Sequence, residues 1–257
     1  MKYEEYSRLY NGLNGMEDIR HFEEEGYDRR LLETLYTQKV NRAVKRRFRA
    51  VKSGAPKMLR AWENGETMCQ IAKRYRFPPM LIAMMIFQED GCGRKAFWEY
   101  VRNPDLLDSP ETAAELREAA ENDIAYSPEA NERSRERGEW GEGLLWGWLN
   151  GQDVTYQTEA DERSDENHSG KTPDCLLDEP MMFEGQEIRW IESKASFGDK
   201  TEFDFNSKKQ LIPYTELFGQ GVVVYWTGHL DDLECPSGVI VEDSGILKKK
   251  LEKLKKI

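Results

Sequence analysis

Lys171-Thr172-Pro173-Asp174, Glu192-Ser193-Lys194 and Gln210 are the residues of this 257-residue chain whose types and spacing fit one piece of chemistry. Two acids and a lysine on neighbouring strands can hold a divalent cation, activate a water and steady the charge that develops on an attacked phosphate. That is the minimum for hydrolysing a phosphodiester. Side chains alternate along a strand, so Glu192 and Lys194 share a face while Ser193 turns to the core. Two carboxylates a few Å apart repel, and a hard ion with oxygen ligands, Mg²⁺ or Mn²⁺, relieves that repulsion. The main-chain carbonyl of Ser193 offers a further ligand. Glu142, on a preceding helix with Leu145 and Leu149 at helical spacing, is a third candidate carboxylate, and Glu139 competes with it from nearly the same face. Gln210 is expected to bond a phosphate or place the water, and Lys171, Lys208 and Lys209 put positive charge around the mouth. Each string alone is weak, since Thr-Pro-Asp is a common turn and Glu-x-Lys on a strand is usually a solvated face; the weight lies in their conjunction.

The elements that must position these groups follow from periodicity. Residues 1 to about 100 read as helical, with a stripe of Leu31, Leu32, Leu35, Tyr36, Val40, Val44, Phe48 and Val51 broken at Ser53-Gly54-Ala55-Pro56. Thr67 stands three residues before Gln70, the spacing of a capping box, so a helix is predicted over Met68 to Tyr75. Arg76-Phe77-Pro78 turns the chain and Pro79 opens a helix through Gln88. This pair has the outline of a helix-turn-helix, but its second helix, Met80 to Phe87, offers almost no donors for base edges. Such a helix is core or a partner-binding surface, and contacts to DNA would go to phosphate from the preceding basic helices. Asp105 to Glu136 reads as a helical connector broken by Pro110 and Pro128. Beyond Gly138 come a helix (Glu139 to Leu149), a strand (Val154 to Thr158), a polar loop (Asp161 to Gly170), two strands (Thr172 to Leu177, Glu187 to Ala195), a helix (Lys208 to Phe218) and a doubly buried strand (Gly221 to Trp226). The second and third strands are expected to pair as a hairpin, bringing Asp174 beside Glu192. Leu247 to Ile257 reads as a basic helix. The expected fold is therefore α/β around a mixed sheet, with an all-α N-terminal region over 1–130 and a second domain over 131–257.

Composition bounds the rest. The net charge of −11 argues by itself against a nucleic-acid partner, yet it conceals a split. Between Asp28 and Arg60 eleven basic residues face two acids, whereas between Asp105 and Glu166 eighteen acids face five arginines. A basic binding face on an acidic body is the expectation, with Lys39, Arg42, Lys45, Arg46, Arg47 and Arg49 as the phosphate-contacting set. The longest apolar run, Met80 to Phe87, has eight residues, well short of the ~18 that a membrane span needs. No secretory h-region opens the chain, so a cytoplasmic protein is expected, with no membrane partner. The four cysteines form no C-x-x-C pair, which argues for free thiols in a reducing compartment rather than a zinc site. Gly170-Lys171-Thr172 superficially suggests a phosphate loop, but Asp165 stands where that motif needs glycine and a strand follows where it needs a helix.

Helix Glu, strand Pro-Asp, strand Glu-x-Lys and helix Gln occur in the order of the PD-(D/E)xK nuclease core. The strings Lys171 to Asp174, Trp190 to Asp199 and Val224-Tyr225-Trp226 closely resemble the TPD-motif family, archaeal relatives of the codanin-1-interacting nuclease. The likeness runs from about Glu142 to Asp232, taking in Gln210, Tyr214 and Phe218-Gly219, and more weakly covers Phe77-Pro78-Pro79. It implies a restriction-endonuclease-like domain similar to archaeal Holliday-junction resolvases, dependent on Mg²⁺, behind a helix-turn-helix region. On it, Asp174, Glu192 and Lys194 fall on the family's core and Glu142 is the helix acid. The expectation is a structure-selective DNA endonuclease acting on branched or single-stranded forms, with a homodimer and a protein partner as further expectations. The alternatives are an inactive DNA-binding scaffold, motivated by the apolar helix Met80 to Phe87, and an RNA-processing nuclease.

Overall fold

The computed structural model describes residues 1–164 and 170–254. They form two compact units, one made of residues 1–36 with 136–257 and the other of residues 37–135. Two short helices, α1 (Tyr3–Gly12) and α2 (Met16–Glu24), open the chain, and α3 (Arg29–Lys52) carries it from the first unit into the second. The first 36 residues thus cluster with the C-terminal half, whereas the sequence division at residue 130 groups them with the helical half.

The second unit is a knot of helices around one apolar rod. The helices α4 (Ala55–Glu63), α5 (Met68–Tyr75), α7 (Arg94–Arg102) and α8 (Pro110–Glu121) surround α6 (Pro79–Glu89). Every residue from Met80 to Phe87 is buried, as a helix that is hydrophobic all round must be. This settles the choice between core and docking surface in favour of core, and with it falls the observation that motivated a scaffold reading. The capping box of α5 forms as its spacing predicts, Thr67 Oγ1 accepting from Gln70 N and Gln70 Oε1 from Thr67 N. Buried Asp123 accepts from Met80 N at 3.0 Å and so caps α6, whose own N-terminal Pro78-Pro79 has no side-chain acceptor to offer.

The chain returns through α9 (Pro128–Asn150), one continuous helix of 23 residues. The expected boundary at residue 131 lies inside it, because Pro128 sits in the first turn, where its missing N–H costs nothing. Then follow β1 (Tyr156–Thr158), α10 (Glu159–Ser164), β2 (Cys175–Phe183), β3 (Gln186–Lys194), a helical stretch of α11 (Lys200–Asn206), a π-turn (Ser207–Leu211) and α12 (Ile212–Phe218), and finally β4 (Gly221–Tyr225), β5 (Val239–Glu242) and β6 (Leu251–Lys253). The sheet runs β1-β2-β3-β4-β5 with β6 added to β2; β1, β2, β3 and β6 pair antiparallel, while β4 and β5 continue parallel from β3. A mixed α/β sheet was expected, and a mixed sheet of six strands is found.

Alternation along β4 sorts the two cores. Val222 and Val224 join Leu145, Trp148 and Leu149 of α9, while Val223 and Tyr225 join Phe203, Leu211 and Tyr214 on the opposite face. Gly221 is needed here: a Cβ would meet the Trp190 ring at 2.1 Å and its backbone oxygen at 2.6 Å.

Four expectations are corrected. The second strand starts after the Thr-Pro-Asp turn rather than within it, and runs on through Pro180, where the register with β3 shifts between Leu176 and Met181. The helix expected from Lys208 begins at Lys200, with Asp199 as its N-cap accepting from Glu202 N. The polar stretch from Asp161 begins inside α10, and its residues 165–169 lie outside the described residues. The basic tail is not helical: Ser244–Lys248 is a 3₁₀ turn and Leu251–Lys253 is a strand, while residues 255–257 lie outside those described. Pairing with the edge of β2, together with Gln152 Oε1 accepting from Leu251 N at 2.8 Å, satisfies backbone groups that an isolated helix this short would leave exposed. Among the described residues no helix is long and apolar enough to cross a membrane.

Candidate active site

Register places the acids. Cys175 pairs with Ile191, so Asp174, one residue outside the ladder, meets Glu192. Asp174 N donates to Glu192 Oε2 at 3.2 Å, and Ser193 N donates to Asp174 Oδ2 at 2.7 Å. Glu192 and Lys194, two apart on β3, point the same way, and Lys194 Nζ donates to Glu192 Oε1. The Glu192 side chain is only 2% exposed and that of Lys194 18%. Gln210 Nε2 donates to the same Oε1 at 3.1 Å.

Helix geometry explains how Gln210 gets there. It lies in the π-turn, and the extra residue in that turn sets it above Tyr214, whose hydroxyl its amide also reaches at 3.4 Å. Tyr214 Oη in turn donates to Thr172 O at 2.9 Å, so one helix holds both the Thr-Pro-Asp turn and the Glu192 carboxylate. Gln210 therefore orients a protein carboxylate, whereas the sequence suggested a phosphate or water partner.

On the other face of the sheet, α9 approaches closely at Gly141. A Cβ there would meet the Trp226 ring at 2.5 Å and Ser193 Oγ at 3.1 Å, and Trp226 Nε1 donates to Ser193 Oγ at 2.7 Å. Glu142, the next residue, is half-buried and within electrostatic reach of Asp174 and Lys194, while Glu139 is exposed.

Charge and burial oppose each other in this cluster. Burial, reinforced by the Asp174 carboxylate, pushes Glu192 up to about 7 despite Lys194. Burial also raises Asp174, opposed by the Lys194 ammonium and the Ser193 N–H. Glu142 is raised by burial first and then by Asp174, Glu159 and Glu139. Among the described residues no three His, Cys, Asp or Glu side chains converge into a ready-made metal cage. The donor set nonetheless suits a hard cation, because Mg²⁺ keeps several waters and takes one or two carboxylates plus phosphate oxygens.

Of the other residues named from the sequence, Lys208 and Lys209 are exposed, and Lys171 bridges the Thr-Pro-Asp turn to the helix by donating to Lys209 O at 3.0 Å. On α3, in the second unit, Lys45, Arg46 and Arg49 are exposed, and Lys39 and Arg42 are half-buried. Arg47 donates to Tyr75 O at 2.8 Å and Arg76 O at 3.0 Å, closing the C-terminus of α5. Its guanidinium has a structural task that the basic run conceals.

Glu159 and Tyr214 took no chemical role in the sequence reading. Thr158 pairs with Cys175, which brings Glu159 opposite Asp174, and Glu159 Oε1 accepts from Thr172 Oγ1 at 3.4 Å. Only strand register could have revealed this, since nothing in the spacing of residues 158 and 175 signals it.

The chain resembles known proteins over much of this region. It is 30% identical over 185 residues to "CDAN1-interacting nuclease 1" of Xenopus tropicalis, covering 68% of this chain and 60% of that protein. The proteins of the same name from Danio rerio and Homo sapiens are 26% identical over 230 residues (82% of this chain, 75% of that protein) and 29% over 175 residues (65% and 62%). The chain thus spans about 60% of the length of the Xenopus relative. No solved structure matches it significantly. Residues 108–245, which contain every acid of the cluster, match the family described as "Protein of unknown function TPD sequence-motif", and the chain belongs to that family.

Proposed function

We propose that this protein is a metal-dependent, structure-selective DNA endonuclease with a restriction-endonuclease-like core of the PD-(D/E)xK type, akin to Holliday-junction resolvases. The observation that carries the reading is the convergence of Asp174, Glu192, Lys194 and Gln210 where β2 and β3 meet, Lys194 Nζ and Gln210 Nε2 both donating to Glu192 Oε1 and the Asp174 and Ser193 N–H groups tying the two acids together. Relatives named as nucleases support it.

Asp174, Glu192 and Glu142 would hold Mg²⁺ or Mn²⁺ with the Ser193 carbonyl, and the bound ion would supply Lewis-acid activation of water and phosphate. Around it the protein's own groups divide the work. Gln210 and the Asp174 N–H fix the orientation of the Glu192 carboxylate. The Lys194 ammonium, largely shielded from solvent, is placed to stabilise charge developing on the phosphate, where low dielectric makes each contact count. Lys171, Lys208 and Lys209 line the approach. The helices α5 and α6 would pack as a helix-turn-helix unit whose buried second helix reaches no base, with α3 gripping phosphates through Lys45, Arg46 and Arg49. Two cuts in a branched substrate would need two such sites, hence a homodimer. A protein partner is proposed from the relatives' name, and a cytoplasmic setting belongs to the same reading.

The test is cleavage of matched branched, single-stranded and duplex DNA and of the RNA equivalents, with Mg²⁺, Mn²⁺ or chelator. The wild type is expected to cut branched or single-stranded DNA only with metal, and Asp174→Asn to bind DNA without cutting. Cleavage by Asp174→Asn at the wild-type rate would overturn the assignment, and preference for RNA would replace the substrate.

A further inference from the structure

The second unit holds an open cavity of about 520 Å³ bordered by α3, α6, α7 and the turn before α9. Its volume lies in the range of small-ligand sites, roughly 300–1,000 Å³. Three half-buried aromatic rings, Phe48, Trp98 and Tyr126, line it above an apolar floor from α6. Lys52 and Arg94 are exposed on the same lining, which includes Gln88 but no acidic residue. Neither cation makes an ion pair within the described residues, although the unit is rich in acids.

We propose that this cavity seats an unpaired nucleotide of a nucleic-acid strand, its base against the aromatic rings and its flanking phosphates on Lys52 and Arg94. Flat π-faces and paired cations are the two features that single-strand sites combine, since every base can stack and every linkage carries a charge. A duplex cannot enter without extruding a base, which must first be unstacked and unpaired. The cavity would therefore favour single-stranded or distorted DNA. The idea rests on the nuclease reading for its biological sense, but binding here needs neither metal nor the acids of the first unit.

Fluorescence anisotropy with the full chain in chelator, using a labelled 12-nucleotide single strand and the matching duplex, separates the two claims. Trp98→Leu is expected to weaken single-strand binding about tenfold, while Trp98→Phe restores most of it. Lys52→Ser with Arg94→Ser should reduce the slope of log affinity against log salt by about 1.4, or roughly 0.7 per lost phosphate contact. Equal loss on strand and duplex, no loss in either variant, or deoxyadenosine monophosphate binding as tightly as the strand would overturn the proposal. Circular dichroism melts of each variant identify misfolding, and the exposed Lys52 and Arg94 pair keeps the test decisive if Trp98→Leu does not fold. Cleavage assays run in parallel on the same proteins report on the nuclease reading independently: a chain that binds single strands through Trp98 yet never cuts would retain this site and lose that activity.

Discussion

Glu192 is the residue on which the site's chemistry turns, because it is both the most buried acid of the cluster and the one contacted from three sides. Its ordinary carboxyl pKa of 4.5 is raised to about 7 by burial and by Asp174. A group whose folded pKa lies above its unfolded one holds more protons when folded, so its contribution to stability is full below about pH 4.5 and is lost as pH rises through about 7. In chelator the melting temperature should fall across that window, and Glu192→Gln should flatten the dependence; an unchanged profile in the variant would show that other groups set it. Lys194→Ala removes the sole ammonium hydrogen-bonded to Glu192 among the described residues. Cleavage is expected to drop by roughly 10²–10³, in line with losing one charge-stabilising group, while DNA retention persists. Tyr214→Phe leaves Thr172 O without its 2.9 Å donor. It should cost about 1–2 kcal/mol in denaturant titration and lower the cleavage rate by loosening the turn that carries Asp174.

At the scale of elements, two close approaches hold the site together. α9 reaches β3 only because residue 141 is glycine, so Gly141→Ala would drive a methyl into Trp226. The expected outcome is about 1–3 kcal/mol of destabilisation and a loss of cleavage larger than stability alone explains, since Glu142 moves with the helix. β3 and β4 meet at Gly221 in the same way, against both a ring and a backbone oxygen that cannot yield. Gly221→Ala should therefore be the more damaging of the two, measured by urea midpoint. The π-turn at Ser207–Leu211 is the third device: a regular α-helical register would carry Gln210 away from Glu192. In the second unit, Arg47 works at this scale through its bonds to the end of α5. Arg47→Ala should cost about 1 kcal/mol through the lost carbonyl contacts on α5, with little change in DNA affinity beyond that of a neighbouring exposed arginine such as Arg46.

At the scale of the molecule, charge partition and metal linkage give the readouts. Mg²⁺ or Mn²⁺ that binds only the folded protein must raise its melting temperature, most clearly above pH 7 where Glu192 is ionised. Differential scanning fluorimetry should show the rise in the wild type and its absence in Asp174→Asn. Much of the architecture was legible from the chain. Period-two alternation exposed β1, a short apolar run exposed the doubly buried β4, a capping-box spacing exposed α5, and a longer apolar run exposed α6, because each signal is local and set by backbone geometry. The pair Asp174 and Glu192 was legible too, since two strands short of a hairpin apart have few ways to pair. Register, by contrast, depends on contacts between segments far apart in sequence. It brought Glu159 opposite Asp174 and made a strand of the basic tail, while the π-turn in the packed helix turned Gln210 toward a carboxylate. Arg47 and the cluster of Phe48, Trp98 and Tyr126 likewise acquired their surroundings only when helices packed. The sequence determined which segments are helix or strand and which acids can face each other; tertiary packing decided which of the remaining polar groups share that space, because burial and strand pairing are properties of the whole chain.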